Sequence, residues 1–180
     1  IGFGGRILGA ESNEEGKATG PKYLNSPETP LFEKGRELYG FSQARNPIRS
    51  AGRAVVVEGY MDVVALAQAG VDYAVATLGT ATSAVHVQKL FRQTDEVVFC
   101  FDGDRAGRKA AWHALEVCLP VLADNKTVRF LFLPAEHDPD SFVRERGQEA
   151  FEHELQRATP LSGFLLDHLR SDLDLDTPEG

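Results

Sequence analysis

Six carboxylates stand where their types and spacing could do chemistry in this 180-residue chain: Glu58, Asp62, Asp102, Asp104, Asp138 and Asp140. Glu58 closes the β-branched run Ala54-Val55-Val56-Val57, with Asp62 four residues further on. Asp102 and Asp104 form an Asp-Gly-Asp directly after Glu96-Val97-Val98-Phe99-Cys100-Phe101, and Asp138 and Asp140 form an Asp-Pro-Asp after the apolar run at 127–133. In an extended segment side chains alternate between faces, so Asp-x-Asp directs both carboxylates to the same side. Gly103 permits a tight turn within the first pair and Pro139 stiffens the second. Carboxylates gathered without partners repel and raise each other's pKa. A hard divalent cation relieves that repulsion, and Mg²⁺ typically shares its shell between carboxylates, water and substrate phosphates. The chemistry that fits is phosphoryl or nucleotidyl transfer. One metal lowers the pKa of an attacking hydroxyl and a second steadies the leaving pyrophosphate.

Each acid also has a structural alternative. Glu58 can cap a helix or pair with Arg53 or Arg105. Asp138 and Asp140 also read as turn and helix-cap chemistry. Asp62, in the first turn of a helix, is the most structural of the set. Placement on successive strand ends is what carries the metal reading, because sites in open parallel sheets form outside the carboxyl ends of strands.

The elements that must position these acids are legible as an alternation. Short apolar runs at 54–58, 72–77, 96–101 and 127–133 read as buried strands. Helices are expected over 60–69, stopped by Gly70; from a Thr82 or Ser83 cap to Arg92; and over 104–122. This pattern predicts an α/β fold, a Rossmann-like parallel sheet flanked by helices. Beyond Asp140, segments to Gly147, over 148–157 and over 161–173 read as a C-terminal helical appendage. Residues 1–50 are rich in Gly, Pro, Asn and Ser. They suggest an α+β piece with a short strand at Arg6-Ile7-Leu8, extended chain through Pro21–Pro30 and a helix at 34–43. The expected division is therefore 1–50, 51–140 and 141–180.

Charge is distributed unevenly. Residues 1–53 carry eight Lys/Arg against six Asp/Glu, a surplus of +2, whereas the remainder carries eleven against twenty-one, giving −10 of the total −8. A mildly basic first segment joined to a strongly acidic one is the informative pattern, since several of the acids fall at strand ends where a merely solvated surface is the weaker reading. No apolar run approaches the roughly 20 residues that span a bilayer, and no signal-peptide pattern appears, so no membrane partner is expected. Cys100 and Cys118 lie far apart, which argues against a zinc site or a disulfide framework and fits a reducing, cytoplasmic location. Neither terminus reads as natural, and the chain is expected to be a piece of a longer protein.

Val57-Glu58-Gly59-Tyr60-Met61-Asp62 followed by Phe101-Asp102-Gly103-Asp104-Arg105-Ala106-Gly107 resembles the Toprim domain of bacterial primases, topoisomerases and some nucleases. The 44 residues from Glu58 to Asp102 suit that fold. Gly2-Phe3-Gly4-Gly5-Arg6, the segment PKYLNSPET at 21–29 and Leu78-Gly79-Thr80 resemble the RNA-polymerase core of bacterial replicative primases, and the likeness runs over nearly the whole chain. His137 departs from the pattern before Asp138 and receives no role.

The resemblance implies a DNA-dependent RNA polymerase that makes short RNA primers on single-stranded DNA during replication. It implies Glu58, Asp102 and Asp104 as the catalytic metal core, holding Mg²⁺ or Mn²⁺ in more than one ion, with Asp62, Asp138 and Asp140 in support. It implies Arg6, Lys22, Tyr23, Asn25 and Lys34 as nucleotide and template contacts, consistent with cations on phosphate and a ring on a base. The partners implied are template, primer and ribonucleoside triphosphates, with the replicative helicase engaged through a C-terminal domain outside this chain. Zinc is expected only in another domain outside it. The resemblance begins partway into the N-terminal subdomain, so activity below that of an intact core is expected.

Arg105 and Arg108 can reach phosphate or pair with Glu58 and nearby acids. Trp112 and His113 suit core packing or surface exposure, His86 and His168 lack a second ligand at metal spacing, and Ser83 suits a cap better than a nucleophile. The alternatives to the primase reading are a Toprim-type metal-dependent nuclease and a non-catalytic nucleic-acid-binding module. A topoisomerase needs a nucleophilic tyrosine on a separate domain.

Overall fold

A computed structural model describes residues 3–6 and 23–172. Its centre is a five-stranded sheet of β3 (Arg53–Val57), β4 (Ala74–Ala76), β5 (Glu96–Phe101), β6 (Thr127–Phe132) and β7 (Thr159–Pro160), in the order β4-β3-β5-β6-β7. The first four are parallel, as the alternating pattern requires, and β7 adds an antiparallel edge. Pro160 is tolerated there because an edge strand needs no second ladder of N–H donors. Two further strands, β1 (Gly4–Arg6) and β2 (Tyr23–Asn25), form a separate antiparallel pair.

The strands are buried because both faces are covered. Val55, Val75 and Val97 have no exposed surface, and Phe99 and Phe130 are 1% exposed. Register does part of the packing. Pairing of Phe99 with Phe130 and of Phe101 with Phe132 sets their rings side by side, with centroids 5.8 and 6.3 Å apart. Helices α2 (Tyr60–Gln68), α3 (Ala84–Phe91), α4 (Arg105–Cys118), α5 (Pro139–Arg157) and α6 (Leu161–Asp172) surround the sheet. Helix α6 seals one face through Phe164, whose ring lies 4.8 Å from Phe130 and 5.5 Å from Phe132. Phe142, Val143, Phe151 and Leu155 of α5 join the same buried cluster as the sheet. Helix α5 kinks at Gly147, where φ is 81° and ψ is 174°, the point at which the sequence breaks its helical segments.

The helix expected at 34–43 is a correction. Helix α1 instead spans Phe41–Ala51, beginning after Gly40 with φ +76°. A left-handed residue cannot lie inside an α-helix, so 34–39 is left as a turn, ending in a bridge in which the Tyr39 N–H donates to the Ala76 carbonyl at 2.8 Å. Pro47 sits within α1, where it removes a hydrogen bond. Burial of Ala44 and Ile48 on the core side offsets that loss. Other boundaries move by one to four residues: β4 is shorter than its apolar run, and α4 ends at Cys118 before a 3₁₀ turn over Leu119–Val121 containing Pro120. The strand expected at Arg6-Ile7-Leu8 is seen as Gly4–Arg6; Ile7 and Leu8, like Lys22 and Leu173, lie outside the described residues.

Candidate active site at the strand ends

Three loops leave the carboxyl ends of β3, β5 and β6, and each, with the first turn of the helix it enters, carries two of the six carboxylates. After β3, Glu58 and Gly59 lead into α2, and Asp62 Oδ2 turns back to accept the Gly59 N–H at 3.1 Å. After β5, Asp102-Gly103-Asp104 leads into α4, where Asp104 Oδ1 caps the helix by accepting the Gly107 N–H at 2.7 Å. Glycine is required at 107 because an added Cβ would stand 2.1 Å from the Asp102 carbonyl oxygen. The Asp-x-Asp-x-x-Gly spacing is thus a packing demand, in which the first turn of α4 presses against the backbone of the first aspartate. After β6, Asp138 Oδ1 caps α5 by accepting the Ser141 N–H at 2.8 Å, Pro139 occupies the first turn, and Asp140 pairs with Arg144 one turn on.

The electrostatics divide the acids into two overlapping groups. Partial burial pushes the Glu58 carboxyl up, and the charges of Asp102 and Asp104 push it further. Asp62 is raised to about 6, first by burial and then by Asp138; hydrogen bonds from the Asp140 and Gly59 backbones pull it down, and Asp102 adds a smaller upward push. Asp102 is therefore felt by both groups. Among the described residues no lysine or arginine forms an ion pair with Glu58.

The structural alternatives for Glu58 meet a geometric limit. Arg53 stands at the opposite end of β3, roughly 16 Å away at the usual rise per strand residue, and it pairs instead with Glu152 at 2.6 Å. Arg105 forms none of the ion pairs among the described residues, and the Arg108 guanidinium lies over the Phe132 ring at 4.9 Å. The cap reading of Asp138 does hold, and Asp104 is found to cap α4 in the same way, each engaging one carboxylate oxygen. Among the described residues, no three His, Cys, Asp or Glu side chains stand together as a group that could hold a metal ion. The carboxylates are close enough to repel without converging on one point.

Glu58 opens onto a cleft of about 640 Å³ whose walls include Thr77, Thr80, Phe101, Lys109 and His113. Lys109 and His113 were not singled out as site residues by sequence. Their signal is the i, i+4 spacing that places both on one face of α4. The Thr80 hydroxyl is buried in this wall without a hydrogen-bond partner among the described residues.

The first segment is fastened to the same end of the sheet. Asn25 Nδ2 donates to the Leu78 carbonyl at 3.5 Å, in the loop between β4 and α3 that lines the cleft. The β1–β2 pair leans on α2, since a Cβ on Gly4 would lie 3.3 Å from the Tyr60 ring. Arg6 and Tyr23 are backbone partners in the β1–β2 register. Lys34 lies in the turn before α1, held through its backbone. His137, assigned no role by sequence, is buried with its ring edge-on to Phe142. Trp112 stacks on His168 at 3.9 Å, tying α4 to α6. Cys100 and Cys118 are buried free thiols.

The Toprim domain family matches residues 53–133, and the family described as the N-terminal domain of the DNA primase catalytic core matches residues 1–45. The chain is 56% identical over all 180 of its residues to the DNA primase of Escherichia coli (strain K12), of which it covers 30%. It is 58% identical over 181 aligned residues to the DNA primase of Neisseria meningitidis serogroup A, again using its full length and 29% of the relative. A solved DnaG primase catalytic domain bound to single-stranded DNA superposes with a TM-score of 0.90 at 55% identity, over 99% of this chain and 55% of that one. The chain thus spans about a third of the length of these curated relatives. With an α/β Toprim sheet bearing the paired acids on its strand ends and a segment matching the primase N-terminal domain fastened beside them, the chain carries a Toprim domain and is similar over its full length to DNA primase catalytic cores.

Proposed function

We propose that this chain is the part of a DNA-dependent RNA polymerase core that carries out metal-dependent nucleotidyl transfer, making short RNA primers on a single-stranded DNA template. The observation that carries the proposal is the upward push that Asp102 and Asp104, after burial, exert on the Glu58 carboxyl at the ends of adjacent parallel strands. An all-oxygen donor set of this kind suits a hard divalent cation, Mg²⁺ or Mn²⁺, and the number of acids suits more than one ion. Glu58, Asp102 and Asp104 would hold the metal, with Asp62, Asp138 and Asp140 in support. When bound, the cation supplies charge neutralisation for phosphate and a lowered pKa for the attacking hydroxyl.

The chain's own residues do the remainder. Capping engages only Oδ1 of Asp104, so its second oxygen can serve a cation while α4 stays anchored. Lys109 and His113 line the same cleft as Glu58, where a cationic side chain can meet an anionic substrate. Arg6, Lys22, Tyr23, Asn25 and Lys34 of the basic first segment would contact nucleotide and template; binding of single-stranded DNA as such is supported by the solved relative that holds it. In this reading 1–50, 51–140 and 141–180 are the basic subdomain, the Toprim metal domain and the start of a helical subdomain. Helicase contact and zinc belong to other parts of a bacterial replisome enzyme working in the cytoplasm.

The test is Mn²⁺-dependent binding of a labelled ribonucleoside triphosphate to this chain and to Asp102→Asn. Binding that requires metal and is lost in the variant supports the polymerase reading. Metal-dependent binding that is equal in both would assign the carboxylates to capping and packing alone.

A further inference from the structure

His86 is 1% exposed, yet the nucleotidyl-transfer reading gives it no task. Its surroundings define its protonation. Nδ1 lies 3.2 Å from the Ser83 backbone nitrogen and must accept that N–H, so the ring proton sits on Nε2, which donates to the Lys34 carbonyl at 3.0 Å. The neutral ring is favoured because burial, helped by the nearby Lys89 charge, lowers its pKa against the upward pull of the Lys34 and Glu37 carbonyls and the Glu37 charge.

The cap and the last turn of α3 make further attachments to the turn before α1. The Ser83 hydroxyl donates to the Gly35 carbonyl at 2.5 Å, and Lys89 Nζ reaches the Arg36 carbonyl at 3.1 Å and Glu37 Oε2 at 2.8 Å. From the other side, the Lys34 N–H donates to Glu28 Oε1 at 2.9 Å. The Lys34 backbone is therefore clamped at both its N–H and its C=O, while its ammonium forms none of the ion pairs among the described residues. Ser83 directly follows Thr82, a residue of the cleft wall that Glu58 shares.

We infer that His86 is a positioning residue, which with Ser83 fixes the Lys34 backbone at the β4–α3 edge of the carboxylate cleft so that the Lys34 ammonium meets nucleotide phosphate. The inference rests on the nucleotide-binding reading above. A long flexible lysine loses rotamer freedom when it binds phosphate, and a fixed backbone spares it the further loss of ordering its own loop. His86 thereby acts through Lys34 without touching the ligand.

The experiment is Mn²⁺-dependent binding of labelled ATP to this chain and to Lys34→Ala, His86→Phe, His86→Gln and the double variant Lys34→Ala/His86→Phe, with melting temperatures recorded throughout. Phe preserves ring volume and loses both ring hydrogen bonds. Gln places an amide N–H near the position of Nε2. Lys34→Ala and His86→Phe are each expected to weaken binding about tenfold, as for loss of one charge-assisted contact. The double variant is expected to bind no more weakly than either single variant, and His86→Gln to recover binding to within about threefold of the parent. Unchanged binding in Lys34→Ala or His86→Phe, or effects that multiply in the double variant, overturns the inference. Should His86→Phe fail to fold, Ser83→Ala tests the same coupling, and effects that multiply with those of Lys34→Ala overturn it equally. Asp102→Asn separates the two readings. Loss of binding there alongside full binding in His86→Phe removes only the positioning role, whereas retained binding in Asp102→Asn removes the metal-site reading itself.

Discussion

Arg53, the first residue of β3, and Glu152, in the second half of α5, form an ion pair at 2.6 Å. Glu152 also accepts a hydrogen bond from the Tyr73 hydroxyl, and burial together with this bond pushes the Tyr73 phenol above its ordinary value. The pair fastens α5, and with it the Asp138-Pro139-Asp140 loop at the start of that helix, to the sheet that bears Glu58 and Asp102. It also removes Arg53 from competition for the strand-end acids.

Replacing Glu152 with Ala leaves a part-buried guanidinium and a phenol without their acceptor. Such a loss, intermediate between exposed and fully buried pairs, is expected to cost on the order of 2 kcal/mol. Urea denaturation of the Glu152→Ala variant measures it, and a change under about 0.5 kcal/mol would show that water replaces Glu152 without penalty.

Asp62 gives the metal-free protein a pH signature. Its carboxyl is raised to about 6, above the value of the unfolded chain. The stability it contributes is then fully present below about pH 4 and is lost as pH rises through about 6, because the unfolded chain releases this proton first. Asp62→Asn keeps an acceptor for the Gly59 N–H and carries no charge. In chelator, the variant should gain on the order of 1 kcal/mol relative to the parent between about pH 4 and pH 7.5, after allowance for solvent screening. Parallel pH–stability curves would contradict the raised value.

Divalent cation should reverse that cost. If the strand-end acids hold Mg²⁺ or Mn²⁺ in the folded state alone, cation at a hundred times its dissociation constant adds about 2.7 kcal/mol of stability. Thermal melts with increasing Mg²⁺ are expected to shift upward in the parent and to stay flat in Asp102→Asn. An equal shift in both would place the cation elsewhere.

Gly107→Ala tests the packing of the Asp-Gly-Asp loop. The added methyl would stand 2.1 Å from the Asp102 carbonyl oxygen, so either α4 or Asp102 must move. Overpacking of this severity is expected to cost about 3 kcal/mol and to abolish metal-dependent nucleotide binding together. Near-parental stability and binding in the variant, measured by denaturation and by the labelled nucleotide, would show that the approach is not tight.

Much of this arrangement is written locally. The β-branched and aromatic runs at 54–57 and 96–101 can bury both faces only as central strands, and the helical segments between them force parallel crossovers, so the sheet and its acid-bearing end follow from pattern alone. The Asp-x-Asp-x-x-Gly and Asp-Pro-Asp-Ser spacings likewise encode their helix caps. Residue order does not encode which distant groups share a neighbourhood. Lys34–Gln43 has the composition of a helix, yet Gly40 takes a left-handed conformation and Tyr39 is claimed by Ala76 on the edge strand, so the helix forms seven residues later. Arg53 lies five residues from Glu58 in sequence, but an extended strand holds them at opposite ends of the sheet, and the partner it finds is 99 residues away. Likewise, the hold of His86 on Lys34 joins two segments 52 residues apart. Local propensity set the elements and aimed the carboxylates; burial and hydrogen bonding between remote segments, which only the closed fold creates, decided the partners of each charged group.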